Sequence, residues 1–547
     1  MLNIHQKYCR ETFYDGQLVG FEPVYNDNFN FAYDVVDAIA QAEPLRRAML
    51  WCNEAGEKHT FTFEDISKAS NRAANYFSSL GIGSGDRVLL ILKRHYQFWF
   101  ALLGLHKLGA IGIPATNQLT KKDIAYRCNA AGVKAVICTT DGGVTEHVDS
   151  AMADCPTVEV KISVHGKYRD WMDFDGEYRK FSDCMKRAET RVFDPMLIYF
   201  TSGTTGMPKM VCHDFTYPIA HIVTAKYWQN VVPDGLHLTI SDTGWMKSMW
   251  GKLYGQWFME AGIFVCDFDR FHAEAILPLF AKYKITTFCA PPTMYRFFIK
   301  EDLSKYDLSS LKYACIAGEP LNPEVFNQFY KATGLKLMEG FGQSETTLVL
   351  FNPVGTTPKP GSTGRPNPAY HVDLIDREGH SVPTGEVGEI VIRTPGRKPA
   401  GLFNGYYLDK ERTNSVWSND IYHTGDTAWR DEDGYFWYIG RNDDIIKSSG
   451  YRIGPFEIES VLMEHPAVLE CAITGVPDPI RGQVVKATIV LAKGYEASEE
   501  LKKELQVYVK KQTAPYKYPR VVEFVTELPK TISGKIRRID IRGGAEQ

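Results

Sequence analysis

Buried strands and helices alternate in the hydrophobic pattern of the chain. Residues 86–92 (DRVLLIL) form a continuous apolar run, which is typical of a strand buried on both faces of a sheet. A helix-length segment follows at 96–108 and ends before Gly109, a residue suited to the position after a helix. Further strands are predicted at residues 110–115, 134–140, 285–292 and 311–320. The pattern predicts an α/β fold with parallel or mixed sheets.

A smaller second domain is predicted at the carboxyl end. The segment around residues 441–446 is dense in glycine, aspartate and turn signals, so we expect a hinge there. Pro455 can open a helix, and the region beyond it alternates two strand-like runs with a helix that is acidic at its start and basic at its end. The predicted units are a large domain over residues 1–440, the hinge at 441–446, and a mobile α+β domain over 447–547.

Composition excludes several classes of protein. The chain has 547 residues, 44% hydrophobic and 23% charged, which describes an ordinary globular protein with more than one domain. A net charge of −4 argues against a nucleic-acid binder. Its eleven cysteines form no C-x-x-C pair, as expected for reduced thiols rather than a zinc site.

The same survey shows no targeting or membrane segment. The first residues lack the apolar core of a secretory signal, and the chain does not end in the peroxisomal SKL address. The most apolar long run is interrupted by His106 and Lys107 and is too short to span a bilayer. We therefore expect a cytoplasmic protein that acts on small molecules. A homo-oligomer remains open.

The stretch 199–210 (YFTSGTTGMPKM) has the composition of a phosphate-binding loop. It follows an apolar run that should end at the carboxyl edge of a sheet, where ligands bind in open α/β folds. Its glycines and hydroxyl residues can offer N–H and O–H donors to a polyphosphate, and Lys209 adds one charge. Pro208 and Met210 stand where a Walker loop has its second glycine and its magnesium-binding hydroxyl, so a kinase or motor ATPase is disfavoured. A plain surface loop is the alternative.

Five ordered motifs resemble those of the adenylate-forming superfamily, which contains acyl-CoA synthetases, luciferases and adenylation domains. These are YFTSGTTGMPK (199–209), EGFGQSET (339–346), YHTGDTAW (422–429), GRNDDIIKSSGYRIGPFEIE (440–459) and LPKTISGKIRR (528–538). The resemblance covers nearly the whole chain. Three further stretches, DTGWMKSMWGKLYGQW, AGEPLNPEV and DPIRGQVVKA, most resemble the medium-chain acyl-CoA synthetases.

The resemblance implies the ATP site. Lys209, Glu345 and Lys535 are the implied catalytic residues, and Glu345 with Thr201 is implied to hold Mg²⁺. Asp426 is implied to bind the ribose hydroxyls, and Arg441 the ribose or a phosphate. The remaining implied ATP contacts are Ser202, Gly203, Thr204, Thr205, Gly206, Gly318, Glu319, Glu339, Gly340, Phe341, Gly342, Gln343 and Ser344.

The resemblance also implies where coenzyme A and the acid bind. Implied coenzyme A contacts are Ser449, Gly450, Tyr451, Arg481, Lys510, Tyr518, Pro519 and Arg520, which otherwise would form a solvated basic face. Implied walls of the acyl pocket are Trp245, Met246, Gly340, Phe341 and Gly342. Acetyl-CoA synthetases carry a tryptophan at the position matching Gly342, so its absence predicts a longer or bulkier acid. Gly340 is expected to leave similar room.

The sequence thus predicts an AMP-forming acyl-CoA ligase with ATP, coenzyme A and a carboxylic acid as substrates. Medium-chain fatty, branched short-chain and aryl acids all remain open. The alternatives are an adenylating enzyme that loads a carrier protein and an inactive nucleotide-binding protein. The hinge is expected to pivot near Asp443. His213 has no evident partner in the sequence and is interpreted as a structural histidine.

Overall fold

The computed structural model describes residues 1–201, 207–449, 451–530 and 536–543. Ser202 to Gly206, Gly450 and Lys535, which the sequence places in the ATP and coenzyme A sites, lie outside these residues.

The first large sheet has seven strands. Six are parallel, and one edge strand, Lys209–Asp214, runs antiparallel to its neighbour. In spatial order the strands are Lys209–Asp214, Pro195–Thr201, Ile111–Pro114, Arg87–Ile91, Ala135–Thr139, Val160–Val164 and Met172–Asp173.

The second large sheet has nine strands. Six central strands are parallel, and antiparallel strands flank them on both sides. In spatial order the strands are Arg365–Pro366, Leu348–Phe351, Leu337–Gly342, Tyr313–Ala317, Thr287–Ala290, Leu236–Thr239, Gly262–Asp267, Arg47–Asn53 and Lys58–Thr62.

Two five-stranded sheets and a hairpin complete the β structure. The third sheet is antiparallel and contains His371–Ile375, Val387–Arg393, Ile421–Arg430, Trp417–Ser418 and Phe436–Arg441. The carboxyl-terminal sheet contains Tyr451–Ile453, Ile446–Ser448, Gly482–Leu491, Val468–Asp478 and Val521–Val525. The hairpin pairs Cys9–Tyr14 with Gln17–Pro23, and Met172–Asp173 is followed directly by a short helix.

Helices cover the sheets and lie in the connections. The α-helices are Ala38–Ala42, Phe63–Ser79, Gln97–Leu108, Lys121–Ala131, Val144–Ala151, Phe174–Glu177, Tyr217–Val223, Lys247–Gly251, Tyr254–Phe258, Ala273–Tyr283, Pro292–Phe298, Pro323–Thr333, Lys410–Val416, Pro455–Met463, Glu499–Gln512 and Arg538–Gly543. None of them, within the described ranges, has the length and apolar character that a bilayer crossing requires.

The predicted alternation of strands and helices is confirmed. The apolar run at 86–92 forms the strand Arg87–Ile91, and the helix Gln97–Leu108 ends at Gly109. Gly109 has φ +72°, a left-handed conformation that glycine adopts without the strain of a side chain. The main hydrophobic cluster joins both large sheets through this helix, because it contains Leu90, Trp51 and Phe98.

The carboxyl-terminal residues have a hydrophobic cluster of their own, which includes Ile446, Leu462 and Val522. Pro455 begins the predicted helix. This separate cluster supports the proposed division of the chain after residue 440. Contacts to the larger part include the Asn322 side-chain amide, which donates to the Ser460 carbonyl at 3.1 Å.

Candidate active site

Lys209 lies at the carboxyl edge of the seven-stranded sheet. The strand Pro195–Thr201 ends there, and its antiparallel neighbour begins with Lys209, paired with Thr201. This return strand was not predicted, and it holds the lysine at the start of a regular element. Burial lowers the pKa of Lys209, while the nearby Glu345 carboxylate opposes that shift. Lys209 is thus a partly desolvated cation.

Tyr406 joins Lys209 to Glu345. The ammonium group of Lys209 donates to the Tyr406 hydroxyl at 3.3 Å, and that hydroxyl donates to Glu345 Oε1 at 2.9 Å. Burial and the Glu345 carboxylate raise the pKa of Tyr406, so it remains a neutral donor. The structure therefore brings together two of the predicted catalytic residues through a third residue that the sequence analysis missed.

The segment 339–345 begins inside the strand Leu337–Gly342 and continues beyond its end, where it contacts a buried histidine. His213 is buried, and its Nε2 atom donates to the Ser344 carbonyl at 2.7 Å. Burial lowers the pKa of His213 to about 4, so the ring is neutral at physiological pH. His213 supports this segment, which agrees with its interpretation as a structural residue.

Asp426 accepts two hydrogen bonds from neighbouring side chains. Gln343 Nε2 donates to Asp426 Oδ2 at 2.5 Å, and the Tyr438 hydroxyl donates to Asp426 Oδ1 at 2.8 Å. Tyr422 fixes Gln343 in turn, because its hydroxyl donates to Gln343 Oε1 at 2.7 Å. Asp426 is almost fully buried. This network orients the carboxylate that the sequence assigns to the ribose.

Arg441 pairs directly opposite Asp426 on the neighbouring antiparallel strand. Its Nε atom lies 3.3 Å from Asp443 Oδ1. Burial alone would lower the pKa of Arg441, but the carboxylates of Asp443 and Asp426 raise it. Arg441, the first residue of the predicted hinge, therefore places a permanent positive charge beside the predicted ribose site.

The hinge is tied to the last described helix. Arg542 donates to the Asp443 carbonyl at 3.1 Å and forms an ion pair with Asp444. Arg538 lies 3.7 Å from Asp444 and 2.6 Å from Glu459. In this arrangement the segment next to Lys535 lies close to the predicted pivot.

The other predicted ATP residues differ in exposure. Gly318 has φ +112°, and no atom lies within 4 Å of where its Cβ would be. Glu319 is half-buried and lies 3.7 Å from Arg296. Glu339 is buried, and burial raises the pKa of its carboxyl well above the ordinary value. Burial thus favours the protonated form of the Glu339 carboxyl.

The two glycines of the predicted acyl pocket face packed protein. A Cβ on Gly340 would lie 2.8 Å from Trp228 Cε2, and one on Gly342 would lie 2.5 Å from the Thr347 carbonyl oxygen. The Cβ positions of both glycines thus point at neighbouring protein atoms, and the role of these glycines in leaving room for the acid stays a prediction. Trp228 is fully buried, and its ring centre lies 5.6 Å from that of Trp250.

The other predicted pocket residues lie in different environments. Met246 is buried in the main hydrophobic cluster, and Trp245 is half-buried in the turn before the helix Lys247–Gly251. The Phe341 ring lies 5.9 Å from the ring of Tyr438. Phe341 therefore lies beside the ribose network.

The predicted coenzyme A residues form two groups on the carboxyl-terminal domain. In one, Arg481 Nη1 donates to Ser449 Oγ at 3.2 Å, and Tyr451 stacks on Tyr516 with ring centres 4.0 Å apart. In the other, the Arg520 guanidinium donates to the Tyr518 hydroxyl at 2.7 Å, and Lys510 lies 5.7 Å from the same ring. Pro519 between them is buried. Both groups combine exposed cations with aromatic rings.

Three functional candidates escaped the sequence analysis: Tyr406, Tyr438 and Trp228. Tyr406 and Trp228 contact residues that are far away along the chain. Tyr438 lies on the strand next to Asp426. The stretch 401–409 (GLFNGYYLD) carries a weak signal for Tyr406, since its glycines indicate a turn.

The chain matches known protein families along most of its length. A sequence model of the AMP-binding enzyme family matches residues 36–407, and one of the AMP-binding enzyme C-terminal domain matches residues 457–535. The chain is 41% identical to the acyl-coenzyme A synthetase ACSM3, mitochondrial, of Mus musculus, over 97% of this chain and 93% of that protein.

Two solved structures share the fold. The anthranilate CoA ligase AuaEII, in complex with anthranoyl-AMP, superposes with a TM-score of 0.86 at 28% identity, covering 95% of this chain and 98% of that one. A benzoate CoA ligase from Burkholderia xenovorans LB400 superposes with a TM-score of 0.81 at 26% identity, covering 94% of this chain and 100% of that one.

Proposed function

The chain belongs to the AMP-binding enzyme family, and we propose that it is an AMP-forming acyl-CoA synthetase whose ATP site is built around Lys209, Glu345 and Asp426. Its curated relatives are acyl-CoA synthetases, and ligases that join acids to coenzyme A share its fold. The observation that carries the site assignment is the chain of contacts from Lys209 through Tyr406 to Glu345.

The proposed reaction has two steps. A carboxylate oxygen attacks the α-phosphorus of ATP, forms an acyl-adenylate and releases pyrophosphate. The thiol of coenzyme A then attacks the acyl carbon, forms the thioester and releases AMP. The first step brings an anion to a polyanion, so its main requirement is electrostatic stabilisation.

Lys209 supplies positive charge for that step. Its contact with Tyr406 holds the ammonium group at the carboxyl edge of the sheet, beside the end of strand Pro195–Thr201. Partial burial strengthens its attraction for an incoming phosphate, because the charge is less screened by water. Lys535 is proposed to supply a second cation from the small domain.

Mg²⁺ fits the donors near Glu345. A carboxylate and a hydroxyl are the hard oxygen ligands that this ion prefers, and protein sites for it commonly use one or two carboxylates together with substrate phosphates. Glu345 is half-buried, and Tyr406 orients its Oε1 atom. Glu345, with the Thr201 hydroxyl, is therefore proposed to hold Mg²⁺, which would neutralise phosphate charge when bound.

Asp426 is proposed to bind the ribose hydroxyls. A carboxylate oxygen can accept more than one hydrogen bond, so the ribose can join or replace the donors Gln343 and Tyr438. Phe341 and Tyr438 provide aromatic surface beside that position, and Arg441 provides charge. These groups would fix the nucleoside while the reaction proceeds at the α-phosphate.

Coenzyme A is proposed to bind the two aromatic and basic groups of the small domain. Its phosphates match the cations Arg481, Lys510 and Arg520, since guanidinium groups form charge-assisted bonds with phosphate. The stacked pair Tyr451 and Tyr516 provides an exposed ring surface. This placement requires the small domain to present that face to the acyl-adenylate.

The acid is proposed to be apolar and larger than acetate. Trp228 lies next to Gly340 and packs against Trp250, so aromatic side chains lie beside the predicted acyl region. Two proteins of the same fold are named as ligases of anthranilate and benzoate, and the curated relatives are acyl-CoA synthetases. Medium-chain fatty, branched short-chain and aryl acids are the proposed classes.

The cellular compartment of the protein is proposed from the state of its cysteines. All eleven cysteines are free, which suits a reducing compartment such as the cytoplasm. The mouse relative's name places that protein in mitochondria, so the mitochondrion is the second candidate.

Pyrophosphate exchange into ATP, measured with a panel of acids, tests the proposal and identifies the acid. Coenzyme A consumption is followed in parallel. Acid-dependent exchange with thioester formation is expected for the ligase. Exchange without thioester formation would indicate an enzyme that loads a carrier protein, and ATP binding without exchange an inactive protein.

A further inference from the structure

Two histidines and an aspartate lie together at the carboxyl edge of the seven-stranded sheet, outside the site described above. Their donor atoms, from His95, Asp141 and His165, lie within 4.8 Å of one another. Each follows a different parallel strand: Arg87–Ile91, Ala135–Thr139 and Val160–Val164. The carboxyl edge of such a sheet is where ligands bind in open α/β folds.

The contacts within the cluster converge on the aspartate. His165 Nδ1 lies 3.0 Å from Asp141 Oδ1, and His95 Nε2 lies 3.5 Å from Asp141 Oδ2. The two imidazole rings stack with their centres 4.4 Å apart. Both histidines therefore direct a nitrogen toward the same carboxylate.

A second carboxylate orients the ring of His95. His95 Nδ1 lies 2.9 Å from Asp267 Oδ2, and both residues are buried. Nδ1 is thus directed at Asp267, whereas Nε2 faces Thr139 Oγ1 and Asp141. Metal-binding histidines are oriented in this way, by a carboxylate on the nitrogen opposite the metal.

We propose that His95, Asp141 and His165 form a binding site for a borderline divalent transition-metal ion such as Zn²⁺, with Asp267 as the positioning residue for His95. Two imidazoles and one carboxylate suit this class of ion, and water completes its coordination. Bond lengths of about 2.0–2.2 Å require the donors to move inward. His165 can do so because its side chain is 46% exposed.

Lys93 is the cation that the ion must displace from Asp141. Its ammonium group lies 3.1 Å from Asp141 Oδ2, but it also lies 2.9 Å from Asp269 Oδ1. Asp269 can retain the lysine when the ion binds. Asp269 therefore remains as an ion-pair partner for the displaced ammonium group of Lys93.

Such an ion would connect the two large sheets. His95 follows a strand of the seven-stranded sheet, whereas Asp267 ends the strand Gly262–Asp267 of the nine-stranded sheet. The site lies at the same edge as Thr201 but two to four strands away, which corresponds to roughly 10–20 Å at the usual strand spacing. The proposed metal site is thus separate from the proposed ATP site. A measurement of metal binding does not depend on the ligase activity.

Calorimetric titration of the metal-stripped, full-length protein with Zn²⁺, without ATP, tests the proposal. One bound ion is expected, with a higher melting temperature, because a ligand that binds the folded state stabilises it. Co²⁺ should give an absorption spectrum without thiolate-to-metal charge transfer, which excludes cysteine ligands. His165→Gln should remove this binding event, and His380→Gln, at another exposed histidine near a carboxylate, should preserve it.

Asp267→Asn should weaken Zn²⁺ binding by about 10- to 100-fold while the Co²⁺ spectrum keeps its shape, as expected for a positioning residue. Asp141→Asn provides an independent test of the ligand set if His165→Gln proves unstable. Unchanged Zn²⁺ affinity in a folded His165→Gln or Asp141→Asn variant would overturn the proposal. Absence of binding to the parent protein would leave the cluster as an ion-pair network only and would overturn it equally.

Discussion

The ammonium group of Lys209 lies 3.3 Å from the hydroxyl oxygen of Tyr406 and 5.0 Å from the centre of its ring. The same hydroxyl donates to Glu345 at 2.9 Å. A neutral phenol thus separates the two charges that the proposed mechanism assigns to the phosphates and to Mg²⁺. This arrangement orients both groups before ATP binds.

Tyr406→Phe should keep the ring and remove both hydrogen bonds. Adenylation should slow by roughly 10- to 100-fold, which corresponds to about 1.5–3 kcal/mol for hydrogen bonds with charged groups. Pyrophosphate exchange and thermal unfolding are measured together, with Tyr407→Phe as the neighbouring control. Exchange at the parent rate would show that the Tyr406 hydroxyl does not position Lys209 or Glu345.

Glu345→Gln should retain the fold and lose most adenylation. A neutral amide is a weaker ligand for a hard cation than a carboxylate, so more Mg²⁺ should be needed for half-maximal exchange. The measurement is exchange as a function of Mg²⁺ concentration. Glu324→Gln changes an exposed carboxylate away from the site and should behave like the parent. An unchanged Mg²⁺ requirement would remove Glu345 from the metal site.

Asp426→Asn should weaken discrimination between ATP and 2′-deoxy-ATP. The parent should prefer ATP, because the ribose 2′-hydroxyl can donate a hydrogen bond to the buried Asp426 carboxylate and 2′-deoxy-ATP cannot. The measurement is kcat/KM for both nucleotides, with Asp433→Asn as an exposed control. If the variant discriminates as well as the parent, Asp426 does not contact the ribose 2′-hydroxyl.

The sequence identified functional residues that lie within a recognisable motif. Glu345, Asp426 and Arg441 belong to quoted motifs, and the strands and helix around residues 86–109 follow from apolar runs. Tyr406 is 197 positions from Lys209, and Trp228 is 112 positions from Gly340, so no local pattern could pair them. A glycine in a sequence also does not reveal the direction in which its missing side chain would point.

Gly342→Trp should shift preference toward acetate or propionate, because a tryptophan stands at the matching position of acetyl-CoA synthetases. The structure adds a cost, because the new Cβ would lie 2.5 Å from a backbone oxygen of Thr347. We therefore expect a lower melting temperature together with a shorter preferred acid. Gly83→Ala is the matched control, since nothing lies within 4 Å of its added Cβ. A parent-like melting temperature, or a retained preference for six- to eight-carbon acids, would contradict this assignment.

Two substitutions should separate the half-reactions if the small domain rotates. Lys535→Ala removes a cation proposed to act only in adenylation, which should slow by on the order of 10²–10³-fold while preformed acyl-adenylate still reacts with coenzyme A. Asp443→Pro restricts φ at the proposed pivot and should impair thioester formation selectively. Single-turnover kinetics measure each step. Equal losses in both steps for Lys535→Ala would indicate one static site.

Product analysis with α-labelled ATP, the preferred acid and coenzyme A tests the central claim most directly. An AMP-forming acyl-CoA synthetase should produce AMP, pyrophosphate and acyl-CoA in equal amounts, and omission of coenzyme A should leave acyl-adenylate on the protein. Formation of ADP and phosphate, or AMP release without any thioester, would contradict the account.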